Sequence, residues 1–303
     1  MTRSGHEECF DQRPDGDLEI EWDRVLAAAN EGAIAGEAAG ALRSLKERID
    51  RPYPALVRID LELDDPLDFL PGQYVAISYE GTPRAYSLAG PPGHDSITLC
   101  IRRIPGGTLT SELFTTLSEG DEVTVRGPYG DMVLHEPVPR DLAFLATGTG
   151  VAPFKSMVDH VFERGLDTVE GYERDIWVFL GCAWEDDLAF REHFRDLDAT
   201  HENFHFVPTL SREPYLTDWK GETDYVQYTL AKYLDRDAVA LDTLPEDLLP
   251  YVEAGPTQDV DARLDPGRLD VYACGVSAMV SSLVDYATAM GVPDDRVEGE
   301  GFG

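Results

Sequence analysis

Lysine is nearly absent from this sequence: Lys46, Lys155, Lys220 and Lys232 are the only ones among 25 basic residues, set against 58 acidic ones. With a formal net charge of −33 and the acid spread along the whole chain, no basic patch exists to displace phosphate counterions, which argues against nucleic-acid binding. Self-repulsion on this scale costs stability in dilute buffer, and molar salt, with a Debye length of about 3 Å, removes most of it. The composition is that expected of a chain from a high-salt cytoplasm. Long apolar runs are missing as well. No stretch reaches membrane-spanning length, and Met1-Thr2-Arg3-Ser4-Gly5-His6-Glu7-Glu8 lacks the basic patch and apolar core of a signal peptide, so the expectation is a soluble, cytoplasmic protein without a membrane partner. Cysteine is scarce. Cys9, Cys100, Cys182 and Cys274 stand singly, with no spacing that could hold zinc or an iron–sulfur centre; no metal is expected, and any such centre belongs to a partner. Histidines form no ligand or triad spacing, and Ser156 and Ser281 have no nearby base, so nucleophilic hydrolysis finds no support.

What is present divides into three stretches. At 303 residues and 43% hydrophobic, the chain can build two cores. Residues 1–50 read as a helical, acidic extension, with Leu42, Leu45 and Ile49 on one helical stripe that would pack against the main body. From 51 to 136 the pattern is short and extended, as in residues 55–61, 74–78 and 122–125. Turns punctuate it at Pro71-Gly72, Pro91-Pro92-Gly93 and Gly127-Pro128-Tyr129-Gly130, at the spacing of a small antiparallel barrel. From 137 to 303 buried strands, at 141–146, 176–180, 204–207 and 269–273, alternate with helical stretches, which implies a doubly wound parallel sheet. Residues 236–268 are acidic and Pro-interrupted, and read as an irregular insertion or a surface helix pair.

Several short strings carry chemical potential. In Arg84-Ala85-Tyr86-Ser87 a guanidinium and a phenol two apart on an extended segment share one face. Soon after comes Gly106-Gly107-Thr108-Leu109-Thr110, whose glycines let backbone N–H groups approach an anion. Thr147-Gly148-Thr149-Gly150-Val151-Ala152-Pro153 sits where a strand turns into a helix, so a diphosphate can approach the helix N-terminus, with Pro153 in the first turn. Ser211-Arg212-Glu213 follows the third strand, with Tyr225 further on: a guanidinium and a hydroxyl suited to a phosphate, and a ring suited to stacking. Taken alone, Arg212 reads first as a surface side chain paired with one of the many acids. Ala273-Cys274-Gly275 ends the last long strand at the edge where ligands bind in such sheets.

These strings, in this order over about residues 51–303, resemble the ferredoxin-NADP reductase family. The resemblance implies a β + α/β fold, an antiparallel Greek-key β-barrel for FAD followed by a doubly wound parallel sheet for NADP. It assigns Arg84 to the flavin diphosphate, Tyr86 to stacking on the isoalloxazine and Ser87 to a hydrogen bond near N5. Leu99, Cys100 and Arg102 resemble the strand beside the adenosine half, and Gly107, Leu109 and Thr110 the diphosphate loop. Gly148, Thr149 and Gly150 resemble the nicotinamide-dinucleotide loop, while Ser211, Arg212 and Tyr225 resemble the NADP-selecting string, with Thr223 where that pattern has a second basic residue. NAD is therefore the alternative nucleotide. Cys274 and Gly275 would abut the nicotinamide, Glu300 and Phe302 match the tail that covers the flavin, and Ser87, Cys274 and Glu300 are the catalytic set implied. The implied activity is hydride exchange between NADP(H) and FAD, with electrons passed to ferredoxin or a similar iron–sulfur carrier. An NADH-dependent reductase serving an oxygenase or free flavin, and a flavin-binding subunit without its own turnover, are the alternatives.

Overall fold

A computed structural model describes residues 21–30, 36–51, 55–79, 81, 83–104, 106–215 and 217–302; Cys9 lies outside them. Strands β1 (Leu56–Glu62), β2 (Tyr74–Ser78), β3 (Arg84–Ser87), β4 (Ser96–Arg102) and β5 (Thr124–Tyr129) pair antiparallel, as β1-β4 and β3-β2-β5. A Leu88↔Leu99 bridge joins the two sets. Alternation decides which face is core: Val57↔Ile101, Ile59↔Leu99 and Leu61↔Ile97 are opposed across β1 and β4. All six are buried in one apolar cluster, the cross-strand pairing that stabilises a sheet. Helix α3 (Thr108–Thr115) adds Leu109 and Leu113 to it. The turn expected at Gly127-Pro128-Tyr129-Gly130 is largely strand instead: β5 runs to Tyr129 along β2, with a register shift between Tyr74 and Ala76 that accommodates the irregular backbone.

The second half is one parallel sheet of β6 (Asp141–Thr147), β9 (Ile176–Cys182), β10 (Phe204–Leu210), β11 (Leu269–Val276) and β12 (Val297–Phe302), in the order β10-β9-β6-β11-β12. A small hairpin, β7 (Thr168–Val169) and β8 (Tyr172–Glu173), precedes β9. Strands β6, β9, β10 and β11 read as largely apolar runs because both faces are covered, whereas the edge strand β12 is only partly buried. Leu142, Phe144 and Ala146 of β6 join one core with α4 (Val151–Arg164) and α5 (Arg191–Thr200). Ala143 and Leu145 join the other, with α6 (Val226–Lys232) and α8 (Ser277–Met290). Gly165 ends α4 in the left-handed region at φ 63°, the conformation glycine adopts at helix ends. Leu56, Ala89, Cys100 and Met132 of the antiparallel half enter the first of these cores, so an apolar seam joins the halves.

Residues 236–268 hold one short helix, α7 (Leu249–Ala254), not two, and their Leu244, Leu248, Val252 and Leu264 are core side chains. A fully buried carboxylate, Glu222, pins the segment by accepting from Lys232, Tyr233 and Thr257. In the N-terminal stretch, α1 (Trp22–Asn30) and α2 (Gly36–Asp50) form. The apolar stripe seats α2 only in part: Leu42 and Leu45 are half-buried, whereas Ile49 is 47% exposed. Charged contacts hold this helix more than apolar ones do.

Candidate functional site

In the order β10-β9-β6-β11-β12 the winding reverses between β6 and β11, which leaves a crevice at their carboxyl ends. Two glycines let these ends meet. A Cβ on Gly150 would lie 2.3 Å from the Cys274 carbonyl oxygen, and one on Gly275 2.1 Å from Thr147 Oγ1. That hydroxyl accepts from the Val276 N–H at 3.1 Å. Gly148, at φ 55°, starts a short 3-10 turn through Gly150 that leads straight into α4, and Gly148 and Thr149 line a cavity of about 550 Å3 beside that helix start. Thr149, Gly181, Ser211, Tyr225 and Phe302 line it. Tyr225 precedes the first residue of α6 and is 65% exposed, a ring face free to stack.

Cys274 and Glu300 face each other in register on β11 and β12. The thiol is 1% exposed. Burial, then the neighbouring Glu300 charge, push it up to about 12, so it stays protonated and packs as a small apolar group. The Glu300 carboxyl is itself raised, by burial and then by Asp131, which follows β5 across the crevice. Glycines again set the approach: a Cβ on Gly299 would lie 2.8 Å from Val280 Cγ1, and one on Gly301 3.0 Å from Ser277 Cα. Through them α8 closes on β12 and fixes the strand that bears Glu300 and Phe302.

On the antiparallel half, Arg84 is exposed and donates to the Pro83 carbonyl at 3.1 Å. Tyr86 is half-buried against the core, its phenol raised by burial and lowered in part by Arg84. Ser87 is opposite Tyr74 on β2. At the start of α3, Gly106 takes φ 74° and a Cβ on Gly107 would lie 2.6 Å from Thr110 Oγ1. The Thr110 hydroxyl donates to the Ile104 carbonyl at 3.2 Å, which fastens this glycine loop to the end of β4. Leu99 and Leu109 are 1% and 4% exposed inside the core, and Leu99 is paired with Ile59 on one side and bridged to Leu88 on the other. Cys100 packs into the core shared with the parallel sheet. Arg102 is at the cavity, 2.6 Å from Asp187.

Two family descriptions match this chain: the oxidoreductase FAD-binding domain over residues 52–134 and the oxidoreductase NAD-binding domain over residues 144–285. Together the two matches support a flavoprotein oxidoreductase of the ferredoxin-NADP reductase type. The reductase component of phenol 2-monooxygenase from Pseudomonas sp. (strain CF600) is 34% identical over 60% of this chain and 51% of its own length. The electron transfer component of xylene/toluene monooxygenase from Pseudomonas putida is 31% identical over 73% of this chain and 60% of its own length. Among solved structures, the Amycolatopsis cytochrome P450 reductase superposes with a TM-score of 0.64 at 27% identity, covering 82% of this chain and 65% of that one. The chain spans about half the length of several curated relatives it matches.

In this flavoprotein the structure gathers Gly148, Thr149, Ser211, Tyr225 and Phe302 around one cavity. Cys274, Glu300, Gly150 and Gly275 are at its strand ends. Arg84, Tyr86, Ser87, Gly107 and Thr110 belong to the antiparallel half. Arg212 is engaged by Glu47 of α2, the acid-paired reading that its sequence context left open. Sequence reasoning missed Asp131 and Glu47. Asp131 follows a barrel strand, and Glu47 is more than 160 residues from its partner, so no local spacing signals either.

Proposed function

We propose that this flavoprotein accepts two electrons from a nicotinamide nucleotide and releases them singly to an iron–sulfur carrier such as a ferredoxin, with residues 51–136 holding FAD and 137–303 the nucleotide. The crevice at the β6 and β11 ends, kept tight by Gly150 against Cys274, is the observation that carries this reading. FAD, when bound, supplies the exchange between two-electron and one-electron chemistry. The glycine approach at the start of α3 fits a diphosphate, since side chains at Gly106 and Gly107 would be strained or would fill it. Arg84 and the N–H groups around Gly107 and Thr110 would hold that diphosphate, Tyr86 would flank the ring and Ser87 would hydrogen-bond its edge. The backbone of Leu99, Cys100 and Leu109 would border the adenosine half.

The Gly148–Gly150 loop would bind the diphosphate of the nucleotide, and Tyr225 would stack on its adenine. At the other end the protonated Cys274 and the partly buried Glu300 would stand beside the reacting atoms. Burial there would position the ring and limit water. Phe302, 44% exposed at the cavity mouth, would cover the ring until the nucleotide displaces it.

A second reading, an NADH-dependent reductase serving an oxygenase, is favoured by the relatives that are components of monooxygenases and by Glu47 on Arg212. Anaerobic titration of the purified, FAD-loaded protein with NADH and NADPH at high salt, followed optically, tests both. Bleaching by either nucleotide is expected. A flavin that binds and is bleached by neither would make the chain a flavin-binding subunit without turnover.

A further inference from the structure

Helix α2 lies against the loops that follow β9 and β10. Arg48 Nη1 is 2.9 Å from Glu213 Oε2, and its guanidinium is 5.2 Å above the Trp184 ring. Arg51 pairs with Asp186 and, at 2.9 Å, with Asp187. The carboxylates of these pairs are 9% exposed or less, so they anchor the helix as partly desolvated contacts. One further pair differs. Glu47 bonds Arg212 with side chains 59% and 42% exposed, and the buried contacts seat the helix without it.

The position of Arg212 gives this pair its meaning. The Ser211 and Arg212 N–H groups bond the carbonyls of Cys182 and Ala183 at 3.0 and 3.1 Å, which fixes the backbone at the cavity rim. Ser211 and Tyr225 line the same cavity. A guanidinium carried by the residue next to Ser211 is the group that would take a phosphate on the adenosine 2′-oxygen, through charge-assisted and often bidentate hydrogen bonds. Other cations by the cavity are engaged already, Arg102 with Asp187 and Lys232 with Glu222 and with Asp224, a lining residue. A 2′-phosphate arriving here must displace Glu47 and then stay beside its charge.

We propose that Glu47 is a nucleotide-selectivity residue: by occupying the Arg212 guanidinium it turns α2 into an electrostatic guard that favours the nucleotide lacking a 2′-phosphate. This rests on the cavity being the nicotinamide-nucleotide site. The N-terminal extension then has a role in choosing the electron donor, although it lies outside both matched regions.

Calorimetric binding of adenosine 2′,5′-bisphosphate and adenosine 5′-monophosphate to the full, FAD-loaded chain tests the idea without reference to turnover. Glu47→Gln is expected to tighten the bisphosphate by about three- to tenfold, the scale of one exposed charge pair made and one charge-assisted bond freed, and to leave the monophosphate unchanged. Adding Arg212→Ala should abolish the gain. Asp65→Asn, an exposed acid on the antiparallel half, removes the same charge elsewhere and should leave the ratio of affinities as it was. If Glu47→Gln shifts neither ligand or both alike, or Asp65→Asn matches it, the guard is overturned while nucleotide binding stands. If neither ligand binds any variant, the cavity reading falls and the guard with it.

Discussion

Glu300 and Cys274 illustrate how burial writes charge states at the level of single residues. The Glu300 carboxyl is raised above its ordinary 4.5, first by burial and then by Asp131. A raised folded-state value means that just above pH 4.5 the native chain holds a proton the unfolded chain has lost. The stabilising contribution is therefore full below that pH and is lost as pH rises through the folded value. Glu300→Gln should remove this loss. In urea unfolding at a series of pH values, the midpoint of Glu300→Gln is expected to gain on wild type as pH climbs above 4.5 and then to level off. Parallel midpoints would contradict it. Asp131→Asn should act in the same direction and less strongly, because burial remains. None of this is visible in the string Glu300-Gly301-Phe302, which shows a carboxylate near a terminus and not the acid opposite.

At the scale of elements, β12 is where local sequence misleads most. Val-Glu-Gly-Glu-Gly-Phe has two glycines among six residues and low strand propensity, and an unstructured tail is the ordinary expectation. The glycines are present because α8 crosses close above them. A Cβ on Gly301 would lie 2.9 Å from Ser277 Oγ and 3.0 Å from Ser277 Cα, and backbone cannot step aside as a flexible side chain can. Gly301→Ala is expected to cost about 1–3 kcal/mol, the range for an overpacked contact, and to weaken nucleotide binding by moving Phe302 and Glu300 together. Gly40, inside α2 with nothing within 4 Å of its Cβ position, is the contrast. Gly40→Ala should stabilise by up to about 1 kcal/mol through helix propensity alone. Thermal melts of the two variants, with nucleotide affinity measured on each, check both signs. The parallel strands β6, β9, β10 and β11, by contrast, were legible in sequence, since each is a short apolar run buried on both faces.

At the scale of the whole molecule, one charge cluster ties distant segments together beside the apolar seam. Asp187, 2% exposed, receives Arg51 from the N-terminal stretch at 2.9 Å and Arg102 from β4 at 2.6 Å, so three distant segments meet on one carboxylate. Elsewhere the acid is mostly surface, and a net charge of −33 opposes compaction until salt screens it. The melting temperature is expected to rise from dilute buffer to molar salt. Electron transfer to an acidic carrier should rise over the same range, because like-charged partners repel less when screened. A steep fall in transfer while the chain remains folded would show docking by opposite charges instead.

The two architectures and the glycine loops are legible without any fold, because they depend on periodicity and on residues that only one backbone conformation tolerates. Residues 84–87, 106–110 and 147–153 stand at strand and helix ends as their patterns require. The tertiary structure alone decided what those loops face. It set Asp131 toward Glu300, turned Leu99 and Leu109 inward, moved Leu244 and Leu264 of the acidic insertion into the core, and placed Glu47 on Arg212. Each of these depends on two segments far apart in the chain arriving at one place. A charge or a cavity created by that meeting has no counterpart in local spacing.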